Sequence, residues 1–82
     1  MLYEFQQINL GQNSSQTILY IVQNPRIDEN GMNTAEIVGK PDYSNGFDNM
    51  EYVACQPQKF IFGGNFTLIE YTKELKNGSF QK

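Results

Sequence analysis

The stretch TILYIVQ, Thr17 to Gln23, is apolar on both faces of an extended chain. Successive side chains of a β-strand point to opposite faces of the sheet, so a strand with one solvated face alternates apolar and polar residues. No such alternation exists here, because Tyr20 would face one side while its neighbours Leu19 and Ile21 would face the other. This pattern is typical of a strand at the centre of a sheet.

Turn-forming residues divide the rest of the chain into short segments, as they do in small β-rich domains. The turn signals are GQNSSQ (11–16), NPRIDENG (24–31), KPDYSNG (40–46), QPQ (56–58), GGN (63–65) and NG (77–78). LYEFQQINL (2–10) begins with alternation and then changes phase, which predicts a strand with a β-bulge near Gln6 and Gln7. TAEIVGK (34–40) is short and mixed, which predicts a strand next to an edge.

The segment FDNMEYVACQP (47–57) differs from the others because it carries helix signals. Asp48 is followed three residues later by Glu51, which is close to the capping-box spacing at the start of a helix. Pro57 would end the segment, since the residue before a proline avoids the α region. The pattern predicts one short helix of about two turns near residues 49–56. The alternative is a strand over the same residues.

The most densely apolar part of the chain is KFIFGGNFTLIEY (59–71). Its arms are rich in aromatic and β-branched residues, which strands prefer. Gly64-Asn65 suits a type II′ turn, and a two-residue turn there would place Ile61 opposite Leu68 and Phe60 opposite Ile69. The segment therefore predicts a β-hairpin.

A helix is the alternative for residues 66–76. Thr67 and Glu70 have the capping-box spacing, and Asn77-Gly78 would end such a helix. Glu70 and Glu74 would repel one another one turn apart, and Thr and Tyr are poor helix formers. The hairpin is favoured, and the choice between strand and helix stays open.

These segments predict a single domain over residues 1–82 that is mainly β, in the small α+β class. We expect a single antiparallel sheet of four to five strands with one short helix, because the connections are short. A chain of 82 residues has little apolar material to spare, so its most apolar segments should form the core. The expected core residues are Ile18, Tyr20, Val22, Phe60, Phe62 and Leu68.

The charge and the cysteine content of the chain make some classes of function unlikely. The net charge is −3, from six basic and nine acidic residues, and no basic run occurs, so nucleic acid is an unlikely partner and membrane association is not expected. The N-terminal sequence lacks signal-peptide features, and the single cysteine allows no intrachain disulfide, so we expect an intracellular, cytoplasmic protein. A homo-oligomer is compatible with the sequence.

Catalytic motifs are missing from the sequence. It contains no histidine, so Cys55 has no imidazole partner and no Cys/His zinc site can form. DENG (28–31) matches part of a calcium-binding loop, but Arg26 and Ile37 would occupy positions that need carboxylates. We therefore expect no catalytic residue, no metal, no cofactor and no enzymatic activity.

Two stretches are candidates for a binding surface. The first, KPDYSNGFDN (40–49), mixes two aromatic residues with small polar ones, as protein-contact surfaces do. Its candidate contact residues are Asp42, Tyr43, Asn45, Phe47 and Asp48. The leading hypothesis is a small acidic non-enzymatic protein that binds another protein. An inhibitor or accessory factor from a phage or mobile element fits this size and composition.

The second stretch is KFIFGGNF (59–66). A lysine followed by alternating aromatic residues resembles the base-stacking strands of cold-shock and RNA-recognition domains, over about eight residues. The resemblance implies stacking of bases on Phe60, Phe62 and Phe66. The alternative function is therefore a β domain that binds single-stranded nucleic acid.

Overall fold

The computed structural model describes residues 1–10 and 15–76. Its strands are β1 (Leu2–Leu10), β2 (Ser15–Ile27), β3 (Asn33–Asp42), β4 (Glu51–Phe62) and β5 (Phe66–Tyr71). They form one antiparallel sheet in the order β4-β3-β2-β1-β5. The central strand is β2 and β3 lies next to an edge, so both of these predictions are confirmed. Among the described residues, no helix has the length and apolar character needed to cross a membrane.

The helix predicted near residues 49–56 is wrong. These residues belong to β4, and only a single 3₁₀ turn, Phe47–Asn49, precedes the strand. A two-turn helix is marginal by itself, whereas the strand pairs with β3 and buries both Tyr52 and Val53. Pro57 lies within β4 and does not end it. An edge strand tolerates proline, because one side of its backbone has no partner strand.

The predicted hairpin is also wrong, although residues 66–71 are a strand and not a helix. β5 pairs with β1, so that Leu68 lies opposite Phe5 and Phe66 lies opposite Gln7. The successive antiparallel pairings make β4 and β5 parallel, which a two-residue hairpin cannot connect. Only Gly63, Gly64 and Asn65 separate the two strands in sequence.

Strong twist explains how so short a connection reaches from one edge of the sheet to the other. Phe62 ends β4 at one corner and Phe66 begins β5 at the diagonally opposite corner, yet their ring centroids are 4.7 Å apart. The other two corners also approach each other, since the ring centroids of Tyr52, near the start of β4, and Tyr71, at the end of β5, are 5.7 Å apart. The four corners therefore meet in two pairs, one on each face of the sheet.

β-Bulges determine which residues face each side. The register between β2 and β3 shifts so that Ile21 lies opposite Gly39 and Val22 opposite Ile37, which leaves Val38 as the extra residue. A bulge moves the following side chains to the other face. The bulge predicted near Gln6 and Gln7 is wrong, because β1 pairs with both neighbours without a register shift.

Each face of the sheet consequently holds its own apolar cluster. The first face, called the aromatic face, buries Phe5, Val22, Ala35, Ile37 and Phe62. The opposite face buries Ile21, Val38 and Tyr52. Of the expected core residues, Val22 and Phe62 are buried. The other four, Ile18, Tyr20, Phe60 and Leu68, are half-buried and pack against the aromatic face.

Candidate protein-contact site

The β3–β4 loop, residues 43–50, is held in one shape by its own hydrogen bonds. The Asp42 carboxylate accepts a hydrogen bond from the Ser44 N–H at 3.0 Å. The Gly46 N–H donates to the Tyr43 carbonyl at 2.9 Å, which closes a tight turn. These bonds satisfy polar groups of the turn locally, so the loop does not depend on a partner for its conformation.

The second half of the loop is a 3₁₀ turn. Gly46 precedes it with φ of 94°, a value that favours glycine. The Asn49 N–H donates to the Gly46 carbonyl at 3.1 Å, and the Asn49 side-chain amide donates to the Asn45 carbonyl at 3.1 Å. Hydrogen bonds therefore hold the backbone on both sides of Phe47.

The two aromatic residues of this loop project outward and contact each other. The Tyr43 and Phe47 rings meet edge to face, with centroids 5.1 Å apart. Phe47 is 82% exposed and Tyr43 is 41% exposed. Phe47 therefore does not lie under the loop, and its apolar surface is available for contact.

The candidate contact residues lie together in sequence and in the fold. Asp42 is the last residue of β3 and is partly buried, whereas Asn45 and Asp48 are exposed. Asp48 directly follows Phe47 in the 3₁₀ turn. The structure thus groups the exposed aromatic pair with one carboxylate in the loop and one at the end of the strand before it.

A cleft that sequence reasoning missed adjoins this loop. Met50 ends the loop and lines the cleft, together with Tyr52, Tyr71 and the carboxylates of Glu4, Glu51, Glu70 and Glu74. Lys73 and Lys76 also line it, and Lys76 forms an exposed ion pair with Glu51 at 2.6 Å. These residues come from the β3–β4 loop, β1, β4, β5 and the segment after β5, so no local sequence pattern could have joined them.

A partly buried hydrogen bond joins two of the residues that line the cleft. The Tyr52 hydroxyl donates to the Glu4 carboxylate at 2.7 Å. Burial, followed by the hydrogen bond to Glu4, raises the pKa of Tyr52 well above its ordinary value. Tyr52 therefore stays protonated at neutral pH and serves as a structural donor that links β4 to β1.

The phenylalanines proposed as a base-stacking platform pack against one another on the aromatic face. The centroid of the Phe5 ring lies 4.9 Å from that of Phe62 and 5.1 Å from that of Phe60. Phe62 is only 7% exposed, and Phe60 and Phe66 are half-buried. A base would have to displace part of the core to stack on these rings.

Cys55 lies partly buried in β4. Burial raises the pKa of its thiol, which reduces the thiolate needed for nucleophilic chemistry. In the part of the chain that the structure describes, no three His, Cys, Asp or Glu side chains are grouped so as to hold a metal ion.

Comparisons with protein-family models, with curated proteins and with solved structures found no match to this chain. Its function must therefore be inferred from its own side chains and their surroundings.

Proposed function

We propose that this protein is a small acidic interaction protein that binds another protein through the β3–β4 loop. The observation that carries the proposal is the 82% exposure of Phe47 on a loop held by its own hydrogen bonds. Aromatic anchors of this kind supply much of the binding energy at protein interfaces. Because the loop is already ordered, binding would cost little conformational entropy.

The charges around Phe47 indicate the chemistry of the partner. Asp48 is exposed beside it, and Asp42 carries a second carboxylate at the base of the loop. The whole chain also has a net charge of −3. A complementary partner would offer an apolar pocket for the phenyl ring with lysine or arginine side chains at its rim.

The size of the protein suits a role that requires one contact surface. Its described residues expose 6027 Å², and a standard interface uses about 800 Å² of each partner. An inhibitor or accessory factor, such as a phage or mobile element encodes, works by covering one site on its target. We place this protein in that class because an exposed aromatic pair on an ordered loop would suit contact with another protein.

The test compares matched variants in affinity capture from a lysate of the source cells, followed by mass spectrometry. Phe47→Ala removes the proposed anchor, and Ile61→Ala removes an exposed apolar side chain of β4 that is 54% exposed. We expect a partner that is captured by the wild type and by Ile61→Ala but is lost with Phe47→Ala. Equal capture by all three proteins would contradict a role for the loop.

A charge variant tests the chemistry of the partner separately. Asp48→Lys reverses the charge next to Phe47 while leaving the ring in place. If the pocket has a basic rim, this variant should slow association and remove much of its salt dependence. The thermal midpoints of both loop variants serve as controls for folding, and we expect them to match the wild type because both side chains are exposed.

A further inference from the structure

The two edge strands of the sheet differ in how their outer backbone is protected. An edge strand presents unpaired N–H and C=O groups, which form a template for another strand. Proteins commonly block such edges with proline, lysine, irregular register or a covering segment. β4 and β5 are the edge strands of this sheet, and in the part of the chain that the structure describes these features lie on β4.

The β4 edge is blocked along its length. The Ala54 N–H donates to the Lys76 carbonyl at 2.7 Å, so the segment after β5 covers the first part of β4. Pro57 and a shifted register interrupt the middle of the strand. Lys59 places a charge on its last part.

Among residues 1–10 and 15–76, none of these features lies on the β5 edge. Its six residues, FTLIEY, include no proline, glycine or lysine, and they pair with β1 in continuous register. Within residues 1–10 and 15–76, β1 is its only partner strand. Ile69 adds an apolar side chain, 47% exposed, to this edge.

We propose that β5 pairs with β5 of a second copy of this chain, in antiparallel orientation, so that two sheets join into one across a twofold axis. The interface is independent of the β3–β4 loop and adds to the function proposed above. It is formed mainly by backbone hydrogen bonds between the two edges, with Thr67 and Ile69 as flanking contacts.

The charge pattern of β5 suits pairing with itself. Side chains that face each other across two antiparallel strands must lie on the same face of the sheet. Two registers satisfy this condition and keep most of β5 paired. In one register, Leu68 lies opposite Leu68 of the second copy. In the other, Ile69 lies opposite Ile69 of the second copy. Glu70, the only charged residue of the strand, then faces Phe66 or Leu68 and never the second Glu70. Like charges opposite each other would destabilise the pair.

The proposal predicts a weak dimer whose population rises with concentration, because a single strand pair belongs to the interfaces below about 1,200 Å² in total. Each copy carries a charge of −3, so added salt should strengthen the dimer by screening the repulsion between the copies. Sedimentation equilibrium at rising protein concentration, with and without added salt, measures both effects.

Two isoleucines give a matched pair of variants. Ile69→Lys places a charge on the β5 edge, and Ile61→Lys places the same charge at a similarly exposed position of β4. We expect Ile69→Lys to be monomeric and Ile61→Lys to dimerise like the wild type. Circular dichroism melts establish that both variants are folded. If Ile69→Lys does not fold, Thr67→Lys replaces it, since Thr67 is also exposed on β5.

Amide hydrogen exchange locates the interface directly in the wild-type protein. We expect protection of β5 amides to increase with protein concentration, while the amides of Lys59 to Phe62 on β4 stay unchanged. A wild type that remains monomeric up to about 500 μM would overturn the proposal, because a pairing with a Kd in the micromolar range would be largely dimeric at that concentration. A dimer that is disrupted equally by Ile61→Lys, or that protects β4 instead, would also overturn it.

Discussion

At the scale of single residues, Tyr52 shows how one side chain can serve packing and polar contact together. Its ring packs in the cluster of the opposite face and meets Tyr71 edge to face. Its hydroxyl reaches Glu4 on β1 at 2.7 Å. The phenol is therefore held in its neutral form by burial and by a carboxylate acceptor. Burial, and then the negative charge of Glu4, also raise the pKa of Tyr71.

The raised pKa values predict a loss of stability at alkaline pH. In the unfolded chain a tyrosine ionises near its ordinary pKa of 10.0, whereas Tyr52 and Tyr71 hold their protons to higher pH when folded. The resulting contribution is complete below about pH 10 and is lost progressively as the pH rises further, because only the unfolded state releases these protons there. Urea unfolding from about pH 8 to pH 11 measures this decline.

Tyr52→Phe provides the comparison for this experiment. The variant removes one of the ionising groups, so its free energy of unfolding should fall less steeply above about pH 10. At neutral pH it should be less stable by about 1–2 kcal/mol, because the partly buried Glu4 carboxylate loses its donor. An identical pH dependence in both proteins would show that Tyr52 is not the group responsible.

At the scale of elements, the opposite face depends on a close approach between β3 and its neighbours. A Cβ atom added at Gly39 would lie 3.0 Å from Ile21 Cβ and 3.1 Å from Leu75 Cδ2. The absence of a side chain at Gly39 therefore lets Leu75, from the segment after β5, pack onto the cluster of the opposite face. This segment in turn supplies the Lys76 backbone that covers β4.

Gly39→Ala should consequently destabilise the protein by about 1–3 kcal/mol, the range expected for an overpacked core. Gly63→Ala is the matched control. A Cβ at Gly63 would have no atom within 4 Å, and its φ lies outside the left-handed region. The control should stay within about 0.5 kcal/mol of the wild type in urea unfolding. Equal midpoints for the two variants would show that Ile21 and Leu75 do not crowd Gly39 as described.

At the scale of the whole molecule, the sheet is held in its twisted form by contacts between diagonally opposite corners. Phe62 has a central place in them, because its ring contacts Phe66 of β5 as well as Phe5 and Phe60. The chain has no helix to cover either face of the sheet among its described residues. The fold therefore relies on its own edges to bury its aromatic residues.

Phe62→Ala should destabilise the protein by about 3–5 kcal/mol, because it removes a buried ring and leaves a cavity between the corners. Such a loss is a large part of the stability available to a small domain. Phe47→Ala removes the same ring from an exposed position and should leave the thermal midpoint nearly unchanged. A midpoint for Phe62→Ala equal to that of the wild type would mean that its ring is not part of the core.

The whole-molecule charge also yields a prediction about nucleic acid. Single-strand binders combine stacking with a basic groove, whereas this chain has a net charge of −3 and half-buried or buried rings at Phe60, Phe62 and Phe66. We expect no measurable binding of mixed-sequence oligonucleotides in fluorescence anisotropy at physiological salt. Tight, salt-sensitive binding that is lost in Phe60→Ala or Phe66→Ala would support the nucleic-acid function and count against the protein-contact site.

Sequence patterns sufficed wherever the decisive contacts are local. The lack of alternation in residues 17–23 identified the central strand, because an apolar residue on either face has to be covered. The Asn, Gly and Asp residues of 40–49 identified the loop that presents Phe47, since they form turns through their own side chains and backbone. The turn proposed at 77–78 lies outside the described residues, as do residues 11–14 of the turn proposed at 11–16, whose last two residues belong to β2. The turn proposed at 56–58 is wrong, because Pro57 sits at an irregularity within an edge strand.

Only the tertiary structure decided which strands pair and which faces they bury. Capping and turn signals describe a few neighbouring residues, so Asp48 and Glu51 could suggest a helix and Gly64-Asn65 a hairpin without reference to the rest of the chain. The observed pairing of β5 with β1 places Phe66 and Leu68 against Phe5. That burial depends on residues about sixty positions apart in sequence. Long-range burial outweighed the local signals, because a chain this short must use most of its large apolar side chains in its core.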